Sequence, residues 1–212
     1  MSLTETTQLH HLHTEIIECH ACIDAGYFAE HSTIVVNQPV LLDQRPRMML
    51  VGQAPASALR SKGLPFSGQA GRVLFGWLAQ AGFTEEVFRE RCYFSAITKC
   101  YPGPAKSGVG KGDRLPTPKE QALCRPFLLR ELGLIQPDLI IAVGRLAMTY
   151  FLGNVDFTET IGAAYQRDGR IILPLPHPSG VSRWNNAPEN RVRVQRALMV
   201  LRDMGDTDLN RT

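Results

Sequence analysis

No run of eighteen apolar residues occurs in the 212-residue chain, which argues against a membrane-spanning helix. The first thirteen residues, MSLTETTQLHHLH, lack the basic start and apolar block of an export signal, so a cytoplasmic protein is expected. Internal repeats and low-complexity tracts are absent as well. Excess charge is scarce: the formal net charge is only +3, so bulk electrostatics names no partner. Five cysteines in a chain without an export signal make a poor disulfide framework and point instead to metal or redox chemistry.

What is present is the balance of an ordinary globule, 44% apolar and 20% charged, with enough length for one domain over residues 1–212 and a full core. Positive charge gathers late, at Arg183, Arg191, Arg193, Arg196 and Arg202. That density permits phosphate binding, although a solvated helix face is its commoner origin.

Residues 48–71 organise the rest. Met48 to Val51 suit a strand buried on both faces, and glycines at 52, 63 and 68 let backbone approach a ligand closely. Pro65-Phe66 sets a ring in the loop. A helix is predicted from about Gly68, with Ala70, Val73, Leu74, Trp77, Leu78 and Ala81 at helical spacing.

Upstream, Leu9, Leu12, Ile16 and Cys19 predict an amphipathic helix ending at a Cys19-His20-Ala21-Cys22 turn, and residues 33–43 look extended. Downstream, Thr84 caps a short helix, Tyr93 to Thr98 is β-prone, and 101–116 form a Gly/Pro/Lys loop carrying Lys106, Lys111 and Arg114. Thr117-Pro118-Lys119-Glu120 is a capping box opening a helix to about Ile135. Leu139 to Val143 reads as a strand, Arg145 to Leu152 as a helix, and Arg170 to Leu175 as a fourth strand running into Pro176-His177-Pro178-Ser179-Gly180. Pro188 opens the last helix, with Val194, Ala197, Leu198 and Leu201 inward. Apolar strands alternating with helices predict an α/β fold, a three-layer α/β/α sandwich on a central, mainly parallel four-stranded sheet. Its ligand site is expected beyond the carboxyl ends of the strands, where the Gln53 loop, Cys100 and His177 meet.

Cys19 and Cys22 sit two residues apart at a helix end, Cys100 follows a strand, and Cys124 lies in the next helix. Four thiolates from three places could close one metal site, and their spacing suits zinc or an iron-sulfur cluster equally. Cys124 shares an apolar stripe with Leu128, Leu132 and Ile135, so alone it reads as a core residue; Cys92 reads as structural.

The ordered set Val51-Gly52-Gln53-Ala54-Pro55, Gly63 to Gly71, Lys99-Cys100, Pro116 to Glu120, Cys124 and His177-Pro178-Ser179-Gly180 resembles the uracil-DNA glycosylase superfamily, most of all its iron-sulfur families 4 and 5. The resemblance runs from about Cys19 to Arg183 and rests on no single motif. It implies that Cys19, Cys22, Cys100 and Cys124 ligate a four-iron four-sulfur cluster. It further implies that Phe66 stacks on a flipped base, that Gln53 and Ala54 form the first active-site motif, and that His177 hydrogen-bonds the base carbonyl. Val181 falls on an apolar wedge, and Ser179, Arg183, Lys106, Lys111 and Arg114 become candidate DNA contacts. In family 4 an acidic residue stands where Gln53 stands here, and further along that loop an acidic pair gives way to Leu59 and Arg60. In family 5 an aspartate stands where Gln69 does, and the uracil-reading asparagine of many branches corresponds to Ala96, as it does in family 5.

The expected function is therefore a monomeric DNA N-glycosylase removing uracil or another deaminated base from duplex or single-stranded DNA. It would be slow for want of the usual carboxylate, with His177, Gln53 and Gln69 as its catalytic set. An enzyme acting on a stacked base must extrude it, stack it and stabilise charge on it as it leaves. Two other readings compete: a non-hydrolytic iron-sulfur protein that binds damaged or single-stranded nucleic acid, and a module for a free nucleotide or other small ligand.

Overall fold

A computed structural model describes residues 3–27, 45–56, 63–105, 112–179 and 183–208. The extended segment expected at 33–43 lies outside these residues, as do Leu59, Arg60, Lys106, Lys111, Gly180 and Val181 and the side chain of Arg183.

Helix α1 (Leu3–Ile17) buries Leu9, Leu12 and Ile16, the stripe that its spacing predicts, and a short α2 (Ala21–Asp24) follows at the cysteine pair. Strand β1 (Met48–Gly52) leads through the glycine loop to α3 (Gln69–Gln80), and Thr84 then caps α4 (Glu85–Arg91), its hydroxyl accepting from Val87 N at 3.2 Å. Strand β2 (Cys92–Ala96) is followed by α5 (Pro118–Ile135), whose capping box is complete in both directions. Then come β3 (Leu139–Val143), α6 (Arg145–Leu152), a one-turn α7 (Phe157–Thr160), β4 (Tyr165–Arg167), β5 (Arg170–Leu175), a 3₁₀ turn (Arg183–Asn186) and α8 (Pro188–Asp208). None of the described helices is long and apolar enough to cross a membrane.

Among the described residues the sheet has five strands, one more than the sequence predicts, in the order β2-β1-β3-β5-β4. The added strand, β4, pairs antiparallel with β5 across the Asp168-Gly169 turn, where φ is 47° and 76°. Two positive φ values at an Asp-Gly pair mark the hairpin turn whose twist suits flanking strands. The other pairings are parallel.

Helices cover both faces. Leu50, Ile141 and Leu173 face α3, α4 and α8 through Leu74, Leu78, Phe88, Val194 and Leu198. Met49, Val51, Ile140 and Ile172 face α1, α5 and α6 through Leu12, Leu128, Ile135 and Met148. This alternation is why the strands read as unbroken apolar runs. In α3 the inward face is Gly71, Leu74, Phe75 and Leu78; Val73, on the expected stripe, is exposed instead.

Candidate functional site

Register fixes where the site lies. Val51 stands opposite Ala142, and Val143 opposite Leu175, so β1, β3 and β5 end at one level. The residues that follow them, Gln53, Gly144 and His177, share that rim. The chain beyond β2 is stitched to it, since Ile97 N donates to Gly52 O at 2.9 Å and Thr98 N to Gln53 O at 3.2 Å.

Phe66 holds a left-handed backbone (φ 55°), uncommon for an aromatic residue, and its ring lies over Gly52, where an added Cβ would be 3.5 Å from Cζ. Three contacts keep this loop in place. Gly71 admits the Phe66 carbonyl against the first turn of α3, Arg89 donates from NH1 to Pro65 O at 3.1 Å, and Phe94 tilts against the ring at 6.3 Å between centroids. Arg89 itself lies over the Phe75 ring at 4.5 Å. Its loop-holding part was invisible in the sequence, because an arginine in a short amphipathic helix reads as solvated.

His177 accepts a hydrogen bond at Nδ1 from Ser179 N (3.2 Å), which leaves the proton of the neutral ring on Nε2. The ring rests on Gly144, and Asn185 Nδ2 donates to its carbonyl at 3.1 Å. Burial lowers the His177 pKa, opposed by the nearby Asp113 carboxylate. Asp113 is an acid that no motif or spacing in the sequence marks. Its Oδ1 accepts from Tyr101 OH at 3.0 Å, and it bridges to Pro104 in the loop after Cys100. Gln53 and Ala54 are half-buried at the rim, Ala96 is buried at the end of β2, and Gln69 is exposed at the start of α3.

Among the expected DNA contacts, Arg114 forks the Glu120 carboxylate (2.8 and 2.5 Å). Trp184 behaves as an anchor: Nε1 donates to Thr158 Oγ1 at 2.9 Å and the ring meets Phe157 edge-on at 5.5 Å.

Cys19, Cys22, Cys100 and Cys124 line one small cavity, of about 20 Å³, with Thr98, Lys99 and Glu120 among its walls. Burial and the neighbouring sulfurs push the Cys22 thiol up to about 11 and Cys100 up to about 12. Burial raises Cys124 too, against the Lys99 charge and the Lys99 N–H, which donates to its sulfur at 3.1 Å. Thr98 Oγ1 is buried without a hydrogen-bond partner. Among the described residues no group of three His, Cys, Asp or Glu side chains is arranged to hold a single metal ion. Cys92 lies apart, fully buried beneath α3 and α4.

Residues 39–202 match the family profile described as the Uracil DNA glycosylase superfamily. A type-4 uracil-DNA glycosylase of Thermotoga maritima is 34% identical over 152 residues, covering 70% of this chain and 73% of that one. The type-4 uracil-DNA glycosylase of Archaeoglobus fulgidus is 31% identical over 176 residues, 79% of each chain. A solution structure of a Methanosarcina acetivorans chain described as a candidate uracil DNA glycosylase superposes with a TM-score of 0.42 at 16% identity, over 79% of this chain and 99% of that one.

Proposed function

Because the chain belongs to the uracil-DNA glycosylase superfamily, we propose that it is a single-domain, monomeric DNA glycosylase that removes uracil or another deaminated base by flipping it out of the stack. The observation that carries this is the rim at the strand ends. There an aromatic residue in left-handed backbone, its ring over Gly52, and a histidine whose Nδ1 is taken by Ser179 N stand on the loops that follow β1 and β5 at one end of the sheet.

Phe66 stacks on the flipped base. His177 donates from Nε2 to the base carbonyl as the C1′–N bond breaks and its electron pair leaves with the base. A fixed neutral donor in a water-poor site stabilises that developing anion effectively. Gln53 and nearby backbone groups orient the water whose oxygen takes the vacated position on C1′, and its proton ends on the departing base. Asp113 is the acid whose charge reaches His177, and it supplies negative charge at a rim where Gln53 and Gln69 are neutral. Ser179, Val181, Arg183, Lys106 and Lys111 are proposed to meet the DNA backbone or fill the vacated stack. Arg114, already held by Glu120, contributes least to that surface.

We further propose that Cys19, Cys22, Cys100 and Cys124 hold a four-iron four-sulfur cluster. The cavity suits one: four thiols face it from three chain segments, a backbone N–H already points at one sulfur, and an unpartnered hydroxyl stands among its walls. When bound, such a group would cross-link the α1–α2 corner, the loop after β2 and α5, holding the rim loops rather than taking part in base release.

The test is excision from duplex and single-stranded oligonucleotides carrying uracil, hypoxanthine or xanthine. Release of at least one base, lost in His177→Ala, is expected. No release at high enzyme excess would leave the non-hydrolytic binder as the reading.

A further inference from the structure

We propose that Lys99 and Glu131 form a buried electrostatic pair that sets the charge balance of the thiol site; the inference rests on that site holding the iron-sulfur cluster proposed above. Lys99 is 1% exposed and Glu131 0%, and Nζ lies 2.6 Å from Oε2. The pair is saturated with partners. Lys99 Nζ also donates to Ser95 Oγ at 2.6 Å and to Ala96 O at 2.8 Å, Ser95 Oγ donates to Glu131 Oε2 at 2.6 Å, and Tyr93 OH donates to Glu131 Oε1 at 3.0 Å. His13 Nε2 meets the Tyr93 hydroxyl at 2.9 Å, so the network runs from α1 through β2 to α5.

Stability alone is a weak reason for such a pair, because two charges taken out of water gain on average no more than apolar residues of the same volume would. Its position suggests another reason. Lys99 immediately precedes Cys100, its own N–H donates to Cys124 Sγ, and it forms part of the cavity wall. Net charge nearby and hydrogen bonds to sulfur are what set an iron-sulfur potential. Lys99 lines the cavity and Glu131 does not, so the positive member of the pair stands on the thiol side.

The experiment measures iron per chain and the midpoint potential of the intact protein by spectroelectrochemistry, in the parent chain and in Lys99→Met, Glu131→Gln, Lys99→Arg and the doubly neutral Lys99→Met/Glu131→Gln. Removing the cation should move the midpoint negative, and removing the anion should move it positive. Lys99→Arg should stay close to the parent. Purely structural residues would shift it in one common direction, if at all. Should the single variants fail to fold, the double variant, which buries no unbalanced charge, decides: its midpoint should move negative. Parent protein without iron would overturn the cluster reading itself. Iron-loaded parent with unmoved midpoints, or shifts of one common sign in both single variants, would overturn the role given to the pair.

Discussion

The Cβ that Gly71 lacks would fall 1.5 Å from the carbonyl oxygen of Phe66. Helix α3 and the ring-bearing loop are thus packed backbone to backbone, and only glycine permits it. Gly71→Ala must push the loop outward and take the Phe66 ring off Gly52. Base stacking is worth about 1–3 kcal/mol in comparable sites, so excision should fall roughly 5- to 150-fold, close to the loss in Phe66→Ala. Unchanged excision with an unchanged melting temperature would show that the ring does not hold the base.

The thiol cavity predicts brown protein with about four irons per chain. Cys19→Ala, Cys22→Ala, Cys100→Ala and Cys124→Ala should each lose most of that iron, since a cluster held by thiolates needs all of its ligands. Cys92→Ala should keep it, because that sulfur lies buried on the other face of the sheet. Anaerobically purified protein with stoichiometric zinc and no iron would contradict the assignment.

The role proposed for His177 uses the neutral ring, with its proton on Nε2 and Nδ1 accepting from Ser179 N; a second proton would turn Nδ1 into a donor and break the contact that orients the ring. Burial holds its pKa below the ordinary 6.5, so excision should be level at neutral and alkaline pH and fall as acid protonates the ring. Asp113→Asn removes the charge that opposes burial. The acid limb should then move to still lower pH while the reaction slows. A limb that stays in place would mean that Asp113 does not act on His177.

Much of this was legible beforehand because local chemistry and tertiary packing agree. The Thr117–Glu120 box, the Gly144 turn and the strands at 139–143 and 170–175 lie where pattern places them. Strand β4 is too short for a periodic signal, and only its Asp168-Gly169 turn announces it. Glu131 was hidden for another reason. It falls three residues after Leu128 on the buried stripe of α5, yet a lone acid there reads as solvated until Lys99 arrives from β2's trailing loop to neutralise it. Asp113 and Arg89 act through contacts 12 and 24 residues away in sequence, which spacing cannot reveal.

His13 makes the fold sensitive to acid. Burial first, then His10 and Lys99, lower its pKa to about 4, whereas an unfolded chain titrates near 6.5. Above pH 6.5 neither state holds the proton, and this group adds no pH dependence. As pH falls from 6.5 toward 4, the unfolded chain takes up a proton that the folded one refuses, so stability should drop by up to about 3 kcal/mol. Denaturant unfolding at pH 7 and pH 4.5 measures this, and His13→Gln should flatten that part of the profile.

Gln53 and Gln69 are neutral where the resemblance to families 4 and 5 puts carboxylates. A carboxylate beside the sugar would orient water and also stabilise the positive charge developing at C1′; an amide can do only the first. General-base assistance is typically worth roughly 10²–10⁴-fold, so its absence need not abolish base release while His177 still meets the charge on the base. The chain should therefore excise slowly, lose most of that rate in His177→Ala, and regain part of it in Gln53→Glu or Gln69→Asp. The two rescues should differ, because Gln53 is half-buried at the end of β1 while Gln69 is exposed at the start of α3. A carboxylate at 53 is less screened by water and nearer the strand-end rim, so Gln53→Glu should give the larger gain. Single-turnover excision of the parent and both variants, with DNA affinity measured alongside, separates a change in chemistry from a change in binding. If neither carboxylate raises the rate while affinity stays constant, the water is activated from elsewhere, and Asp113→Asn becomes the decisive variant.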